Sequence, residues 1–444
     1  MRIHGSFCAR ASCYGAKLHR MSIFKNLSAL LGGRGFVRNV SILLAGTLGA
    51  HLITVAGIPI TARLFGPEAF SVLAVYSAIL SILLTLATLN LHLGIPIADT
   101  HRHALALAVG SGLVLMTLTL NLWLVLLFAD NWIVSALNLP DFSPYLMLLV
   151  PGFLLGGTYA LLQMWFSRQK QFGLIAKTRI TRSAGGTGTQ LVFGTASNGP
   201  IGLVLGHIVY NGMGAFGMLR RLLRDEGVNL KTLTRTELRD SLYNNKKYAF
   251  YTTPENLANV AAIQIPILAI AATPAAGQVG QLYLAQNIMM LPMMLIGSSV
   301  GQVFVAEAPR YSQEKRLWQF TLSVLRGLAI TGVPLLLLLA LLAPFLAGPI
   351  LGREWIYTGE LIVWMTPWIV LQFLSSPLST IFYVTGNQLY AMLIQFFGLG
   401  LRVGAVLLSI SLAPTWAMQV YALSGAAFYL IMLLAILIIA RKLQ

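Results

Sequence analysis

Three arginine residues stand where their side chains could bind an anion within an apolar chain. Arg402 lies over a dozen residues into an apolar run that begins near residue 388, about 20 Å along a helix. Arg179 and Arg182 are three residues apart, so a helix would place them on one face. Guanidinium groups bind phosphate through paired hydrogen bonds. The pattern favours an anion site. Two alternatives need no ligand: a structural hydrogen bond from Arg402 to helix carbonyl groups, and a head-group position for the Arg179–Arg182 pair.

Further polar side chains interrupt the apolar runs. Glu255 and Asn259 are four residues apart and share a helix face that suits a moving gate. His51 shares a face with Thr47 and Thr54, and a histidine there could carry a proton. Each also has a structural explanation, because a carboxylate such as Glu255 is stable at a helix N-terminus and His51 could simply pack. Glu255, Asn259 and His51 therefore join the arginines as candidate cavity residues.

Motifs for nucleotide, metal or covalent chemistry are weak in this sequence. The run from Gly185 to Thr189 is rich in glycine but has no following lysine, so it does not match a phosphate-binding loop. Asp99, His101 and His103 have only a loose metal-like spacing and are better explained as loop residues. Neither a nucleophile elbow nor a zinc-protease motif occurs. We therefore predict no cofactor, no metal and no enzymatic activity.

The composition indicates a membrane protein. Of the 444 residues, 57% are hydrophobic and only 10% are charged, whereas soluble domains carry roughly 25% charged residues. The apolar runs are about twenty residues long, which is the length of helix that crosses the hydrocarbon layer. We predict an all-α polytopic fold with twelve transmembrane helices. The predicted spans are 40–62, 69–91, 104–128, 144–166, 175–196, 201–219, 252–272, 279–304, 326–347, 361–384, 388–410 and 417–440.

The positive charge is distributed by loop. The formal net charge is +17, yet 27 of the 30 Lys and Arg residues fall in alternate loops and at the two ends of the chain. Only Arg63 and Arg353 fall on the other side. Cytoplasmic loops carry such an excess, so both termini are predicted to be cytoplasmic. Anionic membrane lipids would attract the basic loops, and no nucleic-acid partner is needed to explain the charge.

The chain divides into two similar halves. A basic loop at 220–250 separates an N-terminal lobe at 39–219 from a C-terminal lobe at 251–444, and residues 1–38 form a cytoplasmic segment. Residues 1–20, which include the cysteines Cys8 and Cys13, suggest an over-extended start before Met21. Two short motifs recur 207 and 216 residues apart. Six spans per lobe give parallel repeats, related by a pseudo-two-fold axis along the membrane normal.

Short motifs in matching order carry a resemblance to a known family. They are Ala62 to Phe70, Gly202 to Gly206, Lys247-Tyr248 with Pro254 and Pro266, Gly280 to Tyr283, Leu291-Pro292, Gly352 to Trp355, and Ser376 to Ser379. With them, residues 36–440 resemble the polysaccharide-exporter branch of the multidrug/oligosaccharidyl-lipid/polysaccharide flippase superfamily. No extra helix pair is present, which disfavours the fourteen-span peptidoglycan-precursor flippases.

The resemblance implies a function and partners. It implies two six-helix lobes around a cavity that opens alternately to each side and moves an undecaprenyl-diphosphate-linked oligosaccharide outward. Cationic residues would hold the diphosphate, with Arg179, Arg182 and Arg402 as candidates, and polysaccharide polymerase or chain-length proteins would be partners. Two alternatives are a drug/cation antiporter, which would need a mid-span acidic residue in the first lobe, and a glycan polymerase or ligase, which would need a large outer loop.

Overall fold

The structure is a computed structural model that describes residues 34–196, 199–224 and 233–442. The predicted N-terminal segment up to residue 33, with both cysteines, lies outside the described residues. So do the turn residues 197 and 198, residues 225–232 of the basic loop, and residues 443 and 444. The described part is helical and contains no β-strand, which confirms the all-α prediction.

Fifteen α-helices occur in the described ranges, and we number them in chain order. Those of the first half and the connecting helix are α1 (Arg34–Leu64), α2 (Pro67–Leu86), α3 (His101–Leu137), α4 (Leu149–Arg168), α5 (Phe172–Ala196), α6 (Ile201–Leu223) and α7 (Arg235–Asn244). Those of the second half are α8 (Thr253–Ala271), α9 (Val279–Pro292), α10 (Ser298–Gln313), α11 (Leu317–Leu351), α12 (Ile356–Ser375), α13 (Ile381–Val384), α14 (Gln388–Leu412) and α15 (Ala417–Lys442).

Local sequence signals set several helix ends. Pro67 opens α2 at a position where its missing N–H costs nothing. The Thr100 side chain caps α3 by accepting a hydrogen bond from the His103 amide at 3.0 Å. At the other end of α3, Asn138 takes a left-handed conformation with φ of 52°. Gly352 ends α11 with φ of 120°, a region that favours glycine.

The C-terminal end predicted for the second span is wrong. The helix stops at Leu86 rather than near residue 91 because Leu89 and Asn90 adopt positive φ angles of 48° and 55°. This turn brings the Asn90 amide within 3.0 Å of the Thr253 hydroxyl at the start of α8. A periodicity-based prediction cannot see such a turn, because the apolar pattern continues through it.

The first and second halves each pack mainly on themselves. In the first half, α5 lies against α1 and α6, and α4 lies against α3 and α6. In the second half, α12 packs between α11 and α15, while α14 contacts α8 and α15. The halves meet where α2 contacts α8 and α9, and where α1 contacts α11. The helix α6 also reaches this boundary, because Leu203 belongs to one apolar cluster with Leu284 of α9.

The two ends of the helical body differ in charge. One end carries Arg63 and Arg353 as its only described basic residues, and we call it the charge-poor end. The opposite end, which we call the basic end, carries most of the Lys and Arg residues and the short helix α7. There, Arg102 and Glu237 form an exposed ion pair of 2.5 Å that holds α7 against α3. Hydrogen bonds from Thr234, with a smaller contribution from Arg102, lower the pKa of Glu237.

Ten segments in the described residues are long and apolar enough to cross a membrane, so the chain is a multi-pass membrane protein. The count of twelve is not confirmed. The two other predicted spans fall on α5, whose sequence is polar, and on α9–α10. Between α9 and α10 a π-helical segment, Met293–Gly297, interrupts the α-helix. Both segments are nevertheless helical over a length that would reach across the bilayer, so twelve crossings stay a prediction.

We predict that α9–α10 crosses the membrane. With Cys8 and Cys13 replaced by serine, Gln278→Cys and Gln313→Cys would place single, exposed thiols at opposite ends of this segment. A membrane-impermeant thiol reagent added to intact cells should label position 278 and should label position 313 only after permeabilisation. Equal labelling of the two positions in intact cells would show that the segment does not cross.

Candidate functional site

Small residues bring α5 close to both of its neighbours. A Cβ on Gly46 of α1 would lie 2.5 Å from the Ala176 Cβ, and one on Gly186 would lie 2.7 Å from the Tyr210 Cβ of α6. Helices in membranes approach this closely through small residues. The glycine-rich run at 185–189 therefore packs α5 against α6, in agreement with its poor match to a phosphate-binding loop.

Polar side chains line the contact between α1 and α5. The Arg179 guanidinium donates a short hydrogen bond to the Thr47 hydroxyl. About two turns further along α1 and one turn further along α5, the hydroxyl oxygens of Thr54 and Ser183 are 2.5 Å apart. His51 lies half-buried between these two contacts, within range of the Arg179 charge. The predicted face of Thr47, His51 and Thr54 is therefore a real polar seam, and it joins His51 to Arg179.

Arg182 points to the other side of α5. Its guanidinium carbon lies 3.8 Å from the centre of the Tyr159 ring and 4.5 Å from that of Tyr210. The Arg182 Nε donates to the Tyr210 carbonyl oxygen at 2.5 Å, and an Nη donates to the Asn211 amide oxygen at 3.4 Å. The aromatic rings fix the plane of the guanidinium. Arg179 and Arg182 lie about one turn apart on α5, but their side chains diverge, Arg179 toward α1 and Arg182 toward α6.

Neither of these two arginines is neutralised by a carboxylate. The ion pairs found in the described residues join Arg102 to Glu237 and join Arg310 and Arg316 to Glu314, all at exposed positions. Arg179 and Arg182 are only partly exposed and have neutral hydrogen-bond partners. Two positive charges are thus held in place on α5 without a carboxylate partner among the described residues.

Several side chains around Arg182 were not predicted from the sequence. Tyr159, Tyr210 and Asn211 hold the guanidinium, and the ring of His207 lies 6.4 Å from Tyr210 and 5.8 Å from Tyr76. Tyr210 is also within electrostatic range of Tyr283 on α9, so this group borders the second half. His207 could have been found, because an ionisable residue inside a predicted span is a functional candidate by default. The tyrosines carried no such signal.

Glu255 and Asn259 lie in the second half, away from the arginine pair. The Tyr383 hydroxyl donates to a Glu255 carboxylate oxygen at 2.7 Å. The Asn259 amide donates to the Gln395 side-chain oxygen at 2.9 Å. These bonds join α8 to the segment from α13 to α14. The shared face predicted for Glu255 and Asn259 exists, and both residues use it for contacts within the second half.

Arg402 is fully buried inside the second half. Its guanidinium carbon lies 4.1 Å from the Trp368 ring centre and 5.0 Å from that of Tyr421, so α14 is joined to α12 and α15 by cation–π contacts. The Nε and one Nη of Arg402 have no hydrogen-bond partner. In this conformation the side chain has no exposed surface, so it is separate from the Arg179–Arg182 pair. Contact between Arg402 and a ligand stays a prediction that requires the second half to open.

The loose metal-like group at 99–103 has structural contacts. The His101 ring lies 5.5 Å from the Trp165 ring, and the His103 Nε2 lies 3.2 Å from the Asn245 amide nitrogen. A search of the described residues finds no group of three metal-binding side chains. His103 instead helps to hold the segment after α7 against α3.

Comparison with solved structures defines the class of protein. The chain shares its fold with an inward-facing multidrug resistance MATE family transporter of the MOP superfamily, with a TM-score of 0.70 at 14% identity over 92% of this chain and 98% of the other. The lipid II flippase MurJ in an inward closed conformation gives 0.65 at 13% identity, over 91% and 90%. A MOP superfamily transporter from Pyrococcus furiosus gives 0.56 at 14% identity, over 92% and 96%. The fold is therefore that of MOP superfamily transporters.

Comparison with family models gives the family. Residues 60–359 match the model described as "Polysaccharide biosynthesis protein". The chain belongs to this polysaccharide biosynthesis family, which confirms the resemblance seen in the short motifs. Comparison with curated proteins gives no match.

We predict that a substitution at Arg402 can remove the charge and still keep the packing of the side chain. Methionine has a similar length and fills irregular space well, so Arg402→Met should preserve the stack between Trp368 and Tyr421. Removing an unpaired buried charge should leave thermal stability equal or higher. If the charge serves the protein's activity, surface glycan will be lost although the protein is stable, as measured by thermal unfolding of purified protein and by glycan staining. Normal surface glycan would remove the Arg402 charge from the mechanism.

A second prediction concerns the space beside Arg182. A Cβ on Gly214 would lie 2.5 Å from Tyr159 and 3.2 Å from the Arg182 Cδ, whereas one on Gly217 of the same helix would meet nothing within 4 Å. Gly214→Ala should displace Arg182 and reduce surface glycan several-fold. Gly217→Ala is the matched control and should be neutral, because alanine favours the helix by about 1 kcal/mol over glycine. Equal effects of the two substitutions would contradict this account of the site.

Proposed function

We propose that this protein is a flippase that moves an undecaprenyl-diphosphate-linked oligosaccharide across the bacterial inner membrane for surface polysaccharide biosynthesis. It would act by alternating access and without a chemical step. The family match to polysaccharide biosynthesis proteins and the fold shared with MOP superfamily transporters both support this proposal.

One observation carries the choice of an anionic lipid. Arg179 and Arg182 are two partly exposed cations of α5, and neither has a carboxylate partner among the described residues. Holding an uncompensated charge at membrane depth costs at least about 2.5–3.5 kcal/mol, so a role in binding is expected. A diphosphate supplies the missing negative charge, and guanidinium groups bind phosphate oxygens in pairs.

The diphosphate would bind beside the polar seam of α1 and α5 while the prenyl chain stays in the lipid. A charged diphosphate cannot cross hydrocarbon unaided, so a cationic space lowers that barrier. His51 is proposed as a proton-exchanging group. Arg179 lies within electrostatic range of His51, so a diphosphate bound beside Arg179 would change the charge around the histidine. We propose that Arg402, Glu255 and Asn259 change their contacts when the second half opens.

The proposal includes an orientation and a division into lobes. The basic end and both termini would face the cytoplasm, and the charge-poor end would face outward. Residues 39–219 and 251–444 would be the two lobes, with six crossings each, joined by the cytoplasmic loop 220–250. Polysaccharide polymerase or chain-length proteins would receive the exported lipid-linked glycan.

Two alternatives are less well supported. A drug/cation antiporter would need an acidic group in the membrane part of the first half, whereas the polar seam of α1 and α5 holds His51, Arg179 and Arg182. Glu255 of the second half could bind a cation, but its oxygen already accepts from Tyr383. A glycan polymerase or ligase would need a large catalytic loop, and the described turns at the charge-poor end are short.

The proposal is tested by removing the two charges separately. Arg179→Gln and Arg182→Gln should each lower surface glycan at least tenfold at an unchanged protein level, because a hydrogen bond to a charged group contributes about 1.5–3 kcal/mol. Lys177→Gln is the matched control, since Lys177 is an exposed cation of the same helix. The readout is glycan staining of cells together with binding of undecaprenyl diphosphate to the purified proteins.

Two outcomes of this test would contradict the proposal. Normal glycan and normal binding in both arginine variants would show that the pair does not bind the substrate. Equal losses in the Lys177→Gln control would indicate a general charge effect rather than a site.

A further inference from the structure

At the charge-poor end, each half caps the end of a helix in the other half. Arg63, next to the last residue of α1, donates from Nε to the Ile350 carbonyl oxygen at 3.1 Å and from an Nη to the Pro349 carbonyl oxygen at 2.5 Å. These two carbonyls lie in the last turn of α11, where no intrahelical N–H is left to bond them. The guanidinium thus satisfies two orphan acceptors and the negative end of the α11 dipole.

A side chain of the second half also bonds a helix end of the first half. The Trp355 indole, which follows α11, donates from Nε1 to the Ala62 carbonyl oxygen in the last turn of α1 at 2.9 Å. The same indole ring meets the Phe70 ring edge-on with 5.0 Å between centres. Phe65, Phe70, Leu351 and Trp355 belong to one buried apolar cluster with members from both halves. Apolar packing therefore shields the Trp355 hydrogen bond from water, whereas the two hydrogen bonds of Arg63 are exposed.

A third contact joins α2 to α9, and it leaves no room for a side chain at Gly280. The Gly280 amide, in the first turn of α9, donates to the Ser71 hydroxyl at 2.8 Å. A Cβ on Gly280 would lie 2.1 Å from the Pro67 carbonyl oxygen and 2.7 Å from the Ser71 amide nitrogen. Only glycine permits this approach of the two backbones. The contact again satisfies an orphan helix-end group of one half with a group of the other.

A wide crevice reaches these contacts from the charge-poor end. It has a volume of about 1450 Å³ and is lined by Pro67, Ser71, Asn138, Thr273 and Glu354, among others. Every charged residue of its lining is acidic, namely Glu68, Asp141 and Glu354. Solvent therefore reaches the outer side of the contacts, while the arginine pair lies on their inner side. A released diphosphate would meet no positive charge in the lining of this crevice.

We propose that these helix-end exchanges form the gate that closes the outer end of the transport path, and that they must all separate when the lipid-linked glycan is released. We call Ala62, Arg63, Pro349, Ile350 and Trp355 the latch, and Gly280 with Pro67 and Ser71 the backbone contact. The inference rests on the proposed transport function. Separation exposes orphan carbonyls and an amide to the solvent that fills the crevice, so water replaces each lost bond and the gate stays reversible.

The gate is tested by cross-linking across it. A Cβ at Gly66 would lie 3.3 Å from a Glu354 carboxylate oxygen, so Gly66→Cys and Glu354→Cys place two thiols on opposite sides of the gate. Replacing Cys8 and Cys13 with serine removes the only natural thiols. A short bifunctional thiol reagent then links the halves in membranes only when the gate is closed, and the linked product is separated on a denaturing gel after cleavage of the 220–250 loop.

Four substitutions in this background distinguish the contacts. Arg63→Gln and Trp355→Phe remove the latch donors with little change in shape, and Gly280→Ala forces the backbones apart. Each should lower the cross-linked fraction about fivefold, the effect of losing roughly one hydrogen bond. Gly277→Ala is the matched control beside Gly280, because its nearest contact would be the Glu68 Cγ at 4.0 Å, and it should cross-link normally. Arg63→Met, which has no N–H donor, replaces Arg63→Gln should the latter fail to accumulate.

The outcomes separate the gate from the transport function. Cross-linking at the parental level in Arg63→Gln, Trp355→Phe and Gly280→Ala would overturn the gate, and so would an equal loss in the Gly277→Ala control. A loss in Gly280→Ala alone would overturn the latch. Conversely, Arg179→Gln should lose glycan export with the cross-link intact, whereas the latch variants should bind undecaprenyl diphosphate normally. Intact export with an absent cross-link would also contradict the gate.

Discussion

The structure depends on the energetic cost of charges and unbonded polar groups inside a membrane. Each half is an almost uncharged helical bundle, so a charged group is tolerated only where hydrogen bonds, aromatic rings or water replace its hydration. Arg179 has a hydroxyl partner, Arg182 has two tyrosine rings, and Arg402 lies between an indole and a phenol ring. These contacts orient each cation but leave its charge uncompensated. The same constraint explains why the halves meet through exchanged helix ends at the charge-poor end.

The sequence predicted the fold class well because long apolar runs and an asymmetric distribution of basic residues have few alternative explanations. Helices near all twelve predicted spans are present, including α14 and α15, whose predicted starts match the structure. The failures have local causes. The turn at Leu89 and Asn90 uses positive φ angles inside a continuing apolar pattern. The polar helix α5 and the π-helical interruption before α10 lack the uniform hydropathy by which a span is recognised.

The candidate site was predicted in part, for a physical reason. Charged residues in apolar runs are conspicuous, so Arg179, Arg182 and His51 could be selected from the sequence alone. Their partners could not, because Tyr159 and Tyr210 are ordinary membrane residues until α4 and α6 bring them to Arg182. The position of a residue along a helix also does not tell in which direction its side chain points. Arg402 is as deep as predicted, but it turns into the second half, and only the three-dimensional packing of α12, α14 and α15 reveals this.

The most direct measurement of the central claim is a high-resolution structure of the protein with an undecaprenyl-diphosphate-linked glycan bound in a lipid nanodisc. The account predicts diphosphate density beside the polar seam of α1 and α5, with phosphate oxygens within hydrogen-bond distance of the Arg179 or Arg182 guanidinium. The latch between Arg63 and α11 should be closed whenever that site is open toward the basic end. Diphosphate density elsewhere, with both guanidinium groups keeping only their present neutral partners, would contradict the account.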